Sequence, residues 1–115
     1  MRAVQIMFQT QQFIWATGIE DTFITALHPV TSRHIDEYEL TQHYQRYAED
    51  LQLVAQTGVS MCRYGIPWHK IQPQKNQWNW DWTDKALEEF EKIGVQPIID
   101  LVHYGLPDWI QPAYL

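Results

Sequence analysis

The sequence predicts a parallel α/β fold, the first three βα units of an incomplete (β/α)8 (TIM) barrel, on three observations. The first is a repeat. Ala55-Gln56-Thr57-Gly58-Val59-Ser60 and Glu91-Lys92-Ile93-Gly94-Val95-Gln96 share the order helix end, glycine, valine, strand, about 36 residues apart. Strands and helices alternating at this spacing are successive βαβ units of a parallel sheet. The second is the turn after the first strand, Gly18-Ile19-Glu20-Asp21-Thr22, which has one glycine and two acids and would repel a pyrophosphate, against a dinucleotide-binding fold. The third is that Glu20, Arg63 and His103 each stand at or near the C-terminal end of a different expected strand, where barrels of this kind assemble their sites.

The elements follow in order within one expected partial domain over residues 1–115. Residues 13–17, Phe13-Ile14-Trp15-Ala16-Thr17, read as an apolar strand buried on both faces and stopped by Gly18. From Glu20 to about Leu40 no periodicity is sustained, which predicts a long loop. A helix is expected over 41–57, with Thr41 as N-cap and Tyr44, Tyr47, Ala48, Leu51, Val54 and Ala55 on its apolar face. That pattern puts His43 on the exposed side. Gly58 ends the helix in the left-handed conformation, and residues 59–64 form the second strand. Two prolines, Pro67 and Pro73, make the next segment a loop. The second helix runs over 82–93 with Trp82, Ala86, Leu87, Phe90 and Ile93 inward and Gly94 closing it. The third strand covers 95–102, with Pro97 near its start.

Composition excludes several functions. A net charge of −6 leaves no basic patch, so no nucleic-acid partner is expected. No apolar run approaches the roughly 20 residues that cross a bilayer, and the N-terminus is a poor signal peptide, so no membrane partner is expected. Cys62 is the single cysteine; it cannot form an internal disulfide, and a cytoplasmic location is expected. His28, His34, His43 and His69 show no metal-ligand spacing, so neither metal nor cofactor is expected. Six Trp and six Tyr raise the aromatic share to 14%, which serves both core packing and stacking on sugar rings.

Three residues could carry chemistry. Glu20 can accept hydrogen bonds from hydroxyls, or act only as a loop carboxylate or cap. Asp21 beside it would project elsewhere on an extended chain. Arg63 ends an apolar strand and needs a carboxylate partner; it holds either a functional carboxylate or a structural ion pair. His103 follows Leu101-Val102 and can donate and accept at once, as a hydroxyl ligand or a satisfied structural histidine. Asp100, three residues earlier, would face the opposite way on a regular strand, towards a cap or cation behind the sheet. Cys62 has no adjacent base in sequence and reads as inert core.

These segments carry a resemblance. Arg63-Tyr64-Gly65-Ile66-Pro67-Trp68-His69-Lys70-Ile71-Gln72-Pro73 resembles the second-strand segment of glycoside hydrolase family 1, the β-glucosidases and 6-phospho-β-glycosidases. Asp100-Leu101-Val102-His103-Tyr104-Gly105-Leu106-Pro107 resembles its third-strand segment, and Phe13-Ile14-Trp15-Ala16-Thr17-Gly18-Ile19-Glu20 its opening strand. Tyr44-Gln45-Arg46-Tyr47-Ala48-Glu49-Asp50 is similar to the first-helix signature, and Trp80-Asp81-Trp82-Thr83-Asp84 to the start of the second helix.

The resemblance implies a retaining glycosidase on a (β/α)8 barrel, with a carbohydrate or glycoside substrate and no cofactor. It implies that His103 binds a sugar hydroxyl, that Glu20 lines the same pocket, and that Arg63 supports the nucleophile. Tyr104 and Trp68 would be further substrate contacts. Gly18, Asp21 and Tyr104 depart from the family pattern and point to a divergent branch. The family's two catalytic carboxyl groups follow strands 4 and 7, so this chain is expected to be an N-terminal fragment without catalytic residues, inactive alone and prone to self-association. The alternatives are a non-catalytic remnant, a sugar-binding fragment, or another TIM-barrel enzyme.

Overall fold

The computed structural model describes residues 13–110. Three strands, β1 (Ala16–Gly18), β4 (Met61–Gly65) and β5 (Gln96–Asp100), form one sheet in the order β1-β4-β5. Both pairings are parallel; Gly18 stands opposite Arg63, which stands opposite Ile98, and Gly65 pairs with Asp100. The sheet is open at β1 and β5, so the described residues form an unclosed parallel α/β unit.

Two helices cover one face. α2 (His43–Gln56) and α4 (Asp81–Ile93) present Leu51, Val54, Ala86 and Phe90 to Cys62 and Tyr64 of β4 and to Val95. Alternation along β4 explains the division: Cys62 and Tyr64 are fully buried on the helix side, while Arg63 between them turns to the uncovered side. α4 ends as expected of its sequence. Gly94 takes a φ of 70°, open to glycine without steric cost, and its N–H closes on the Phe90 carbonyl. Fully burying one side chain such as Phe90 contributes about 1.5–3 kcal/mol, so this single layer of contacts is the fold's main source of stability.

The sequence reading needs five corrections here. Residues 20–40 are not a continuous loop. β2 (Phe23–Ile24) and β3 (Ile35–Asp36) pair antiparallel, and α1 (Glu37–Leu40) follows at once, capped by the Asp36 carboxylate accepting from the Glu39 N–H. Elements of two to four residues are too short to show a period. Thr41 does not cap the long helix. Its hydroxyl returns to the Glu37 carbonyl at 2.7 Å and closes α1, and α2 starts after Gln42, whose φ is 61°.

His43 is not exposed but only 1% accessible. Its Nδ1 donates to Asp50 at 2.6 Å and its Nε2 accepts from the Tyr64 hydroxyl at 2.8 Å, so both polar atoms are satisfied within the core. The third strand stops at Asp100 rather than Val102, because the chain bends at Leu101. The first strand begins at Ala16, includes Gly18 and is exposed along its length rather than buried on both faces, because among the described residues nothing packs on its outer side.

Between β4 and α4 lies α3 (Trp68–Ile71), a single turn after Pro67. It carries His69 towards the β2–β3 excursion. The Nε2 of His69 meets the Asp36 carboxylate at 2.8 Å, and the His69 ring stacks on Phe23 at 3.7 Å between centroids with planes 5° apart. The excursion is thereby fastened over the C-terminal rim of the sheet, where Thr25 Oγ1 both donates to the Leu106 carbonyl and accepts from the Leu106 N–H, each at 2.9 Å.

Candidate functional site

The rim brings five polar side chains together. The β1–β4 ladder extends by one bond, from the Ile19 N–H to the Arg63 carbonyl at 3.1 Å. That bond sets Glu20 and Asp21 above the end of β4. Arg63 rises from the uncovered side of β4, and the pairing of Gly65 with Asp100 puts the Asp100 carboxylate on the same side. Both the Nε of Arg63, at 3.0 Å, and its terminal nitrogen donate to one oxygen of Asp100. This corrects the expectation that Asp100 faces away. Strand alternation does not reach His103, because β5 has already ended and the chain bends between them.

His103 is held from both sides. Its Nδ1 lies 2.9 Å from an Arg63 nitrogen and its Nε2 lies 2.8 Å from Glu20 Oε1. A guanidinium only donates, so Nδ1 must accept and be bare. The proton therefore sits on Nε2 and is donated to Glu20. The Thr22 hydroxyl also donates to Glu20. That bond, with the nearby His103 and Arg63, outweighs slight burial and holds the Glu20 carboxyl below its ordinary range.

Asp21 behaves in the opposite way. Its side chain is only 8% exposed, and among the described residues its Oδ1 has no hydrogen-bond partner. Burial pushes its carboxyl up, against the pull of His103 and of Arg63, whose nearest nitrogen is 3.8 Å away. A Cβ at Gly65 would overlap the Asp21 carboxyl, so glycine is what lets the acid lie flat on β4. Two carboxyls pushed in opposite directions are a pattern of acid/base pairs. Here Asp21 is walled in, and Glu20, half exposed, is the one that faces open space.

Glu20, Asp21 and His103 each offer an atom within 4.8 Å of the others, close enough in principle for a cation. The proton bookkeeping argues otherwise. A metal on Nε2 would force the imidazole proton onto Nδ1, where it would meet the Arg63 N–H. The donors and acceptors gathered here are of the kind that can hydrogen-bond hydroxyl groups. Glu20 accepts, the guanidinium donates to Asp100 and to His103, and the ring of Tyr104, 78% exposed, stands edge-to-face on His103 at 4.5 Å.

The structure thus gathers Glu20, Arg63, His103 and Tyr104. Trp68 stands apart. Its indole N–H donates to Gln72 Oε1 at 3.0 Å, and its ring lines an apolar groove of about 290 Å³ with Ile66, Trp78, Trp80 and Leu101. Sequence reasoning missed Asp100 and the Asp36–His69 pair. The Asp36–His69 pair spans 33 residues, and nothing local in the sequence announces it.

A family model described as glycosyl hydrolase family 1 matches residues 14–113. The chain belongs to glycosyl hydrolase family 1. Among curated proteins it is similar to this family's beta-glucosidase 6 of Oryza sativa subsp. japonica, 32% identical over 107 residues covering 90% of this chain and 19% of that protein. It is also 33% identical over 82 residues to the 6-phospho-beta-glucosidase AscB of Escherichia coli, covering 67% of this chain and 17% of that protein. The family 1 chain therefore spans less than a fifth of the length of these relatives. Among solved structures it resembles the family 1 β-glucosidase of Thermotoga maritima, with a TM-score of 0.55 and 27% identity over 58% of this chain and 16% of that one. That enzyme is also known in complex with azafagomine.

Proposed function

We propose that this family 1 chain forms the first three βα units of a (β/α)8 barrel and supplies the sugar-binding wall of a retaining β-glucosidase-type hydrolase. The observation that carries the reading is the His103 ring, fixed with its N–H on Glu20 and its bare nitrogen on Arg63 at the rim of a parallel sheet. In that role a hydroxyl of the sugar takes the place of the direct His103–Glu20 bond, accepting from the His103 Nε2–H and donating to the Glu20 carboxylate, and Arg63 stands ready to hold an anionic nucleophile. Hydrolysis with retention needs two carboxyl groups about 5 Å apart on either side of the glycosidic bond. In this family they follow strands 4 and 7, so the 115-residue chain carries the wall and not the pair. The proposed substrate is a glycoside. The sparing use of cysteine, with Cys62 buried, fits a reducing cytoplasm. No helix among the described residues is long and apolar enough to cross a membrane.

The test has two arms on the purified chain. Titration with methyl β-glucoside should shift the NMR signals of His103 and Glu20 and leave a His103→Ala variant unmoved. Incubation with 4-nitrophenyl β-glucoside should release no nitrophenol. Unmoved His103 signals would sink the wall, and measurable hydrolysis abolished by Glu20→Gln would sink the missing pair.

A further inference from the structure

His103 is only as well aimed as the loop that carries it, and that loop has few supports of its own. β5 has ended, Tyr104 takes a φ of 66°, and its side chain is exposed. Beyond the Thr25–Leu106 bonds, what the loop touches at His103 itself is Phe23. The Phe23 N–H faces the His103 carbonyl at 3.5 Å, the same carbonyl accepts from the Gly105 N–H at 2.9 Å, and the Phe23 ring and carbonyl fill the space a Cβ at Gly105 would need. Phe23 is therefore the surface against which residues 103–105 rest.

Phe23 is itself fixed by one residue from elsewhere. The His69 ring lies flat on it, and His69 is 14% exposed and bonded to Asp36, the backbone partner of Phe23 in the β2–β3 pair. Asp36 accepts as well from the Tyr44 hydroxyl at 2.9 Å. His69, Asp36 and Phe23 thus close a triangle: ring on ring, ring nitrogen on carboxylate, strand on strand. The triangle hangs from α3, which begins five residues after Arg63. One rigid link therefore connects the strand that bears the guanidinium to the loop that bears the imidazole.

We propose that His69 is a positioning residue for His103, acting through Phe23. It touches no sugar. Its work is to hold the Phe23 ring and backbone so that the His103 carbonyl, and with it the ring, stays between Arg63 and Glu20. The proposal rests on the reading of His103 as a hydroxyl ligand for its purpose, but not for its test.

That test is nitrogen NMR of the histidine rings in the 115-residue chain, with no sugar present. The wild-type chain should show His103 protonated at Nε2 and bare at Nδ1. His69→Ala should move His103 towards a mixture of both tautomers, because a loosened ring leaves Arg63. It should also speed exchange of the Gly105 amide by about tenfold while the Trp82 indole, in the α2–α4 layer, keeps its signal. His69→Phe, which keeps the ring on Phe23 and loses only the Asp36 bond, should restore most of the single tautomer. An unmoved His103 in folded His69→Ala overturns the proposal. A Phe variant no better than Ala overturns the route through Phe23. Loss of the whole fold in both variants overturns it too, since His69 would then hold the chain together rather than aim one side chain.

Discussion

Arg63 donates to the Nδ1 of His103 at 2.9 Å, and that contact decides which end of the imidazole can offer a proton. Removing the guanidinium removes the constraint. In Arg63→Met, His103 is expected to populate both tautomers, and Asp100 loses both of its bonds from Arg63. Ring-nitrogen NMR reads the first effect. A His103 that keeps its single tautomer in the folded variant would show that Glu20 alone sets it. Arg63→Lys should restore the single tautomer only in part, because the ammonium lacks the Nε–H that also fixes the guanidinium on Asp100.

Acid should weaken the fold through Asp36. Burial alone would raise its carboxyl, but the bonds from His69, Tyr44 and the Glu39 N–H outweigh burial and hold it below its ordinary 3.8. A depressed carboxyl contributes stability that is fully present above 3.8 and lost as pH falls through the lower folded value. His43 adds a second loss on the acid side: burial lowers it from 6.5 against the pull of Asp50, so stability falls as pH drops below 6.5. Urea titrations across this range should show Asp36→Asn less stable near neutrality and with a flattened acid limb. A limb unchanged in that variant would assign the acid sensitivity elsewhere.

Asp21 carries the opposite sign. Its raised carboxyl favours the folded chain at low pH, and that contribution disappears as pH rises above 3.8 through the folded value. Asp21→Asn should therefore be more stable than wild type at pH 7, by about 1 kcal/mol. Below 3.8 the gain should vanish. A variant that is destabilised at neutral pH would mean that the 3.8 Å attraction to Arg63 dominates after all.

Tyr64→Phe tests the buried relay behind the sheet. The substitution keeps the ring among Tyr38, Trp82 and Phe90 and deletes only the hydroxyl that His43 Nε2 accepts from. A buried acceptor left without its donor costs about 1–3 kcal/mol. The same loss should not appear in His43→Phe combined with Tyr64→Phe, where both polar partners are gone.

The edge of β5 should drive association. Ile98, Ile99, Leu101 and Val102 are 38–68% exposed beside an edge with no neighbouring strand among the described residues, and an edge of this kind recruits other strands. Sedimentation of the chain is expected to rise with concentration. Ile98→Lys with Leu101→Lys should return it towards the monomer value. A monomer at all concentrations in wild type would contradict this.

How much of this could be read from residues alone depended on the range over which each signal acts. The helices and the strands of the parallel sheet announced themselves, because apolar spacing and a closing Gly58 or Gly94 are local. The β2–β3 hairpin did not, since two-residue strands carry no period. His43 misled for a related reason: it sits beside the apolar stripe of α2, and only its partners Tyr64 and Asp50 make the core hospitable to it. At the site, the strand-end positions of Glu20, Arg63 and His103 pointed to one rim. Asp100 escaped because strand alternation was carried past the strand's end. The link from Asp36 through His69 to Phe23 escaped because it is made by residues that meet only after the chain has folded.

The two bonds between Thr25 and Leu106 join residues 81 apart in sequence. Closing a loop of that span costs entropy before any contact rewards it, whereas β4, α4 and β5 meet over shorter spans. The chain can therefore zip its sheet and helices first and must close the rim afterwards. Glu20 and His103 meet across a span as long as this one, so the rim is expected to be the last part of the described fold to close.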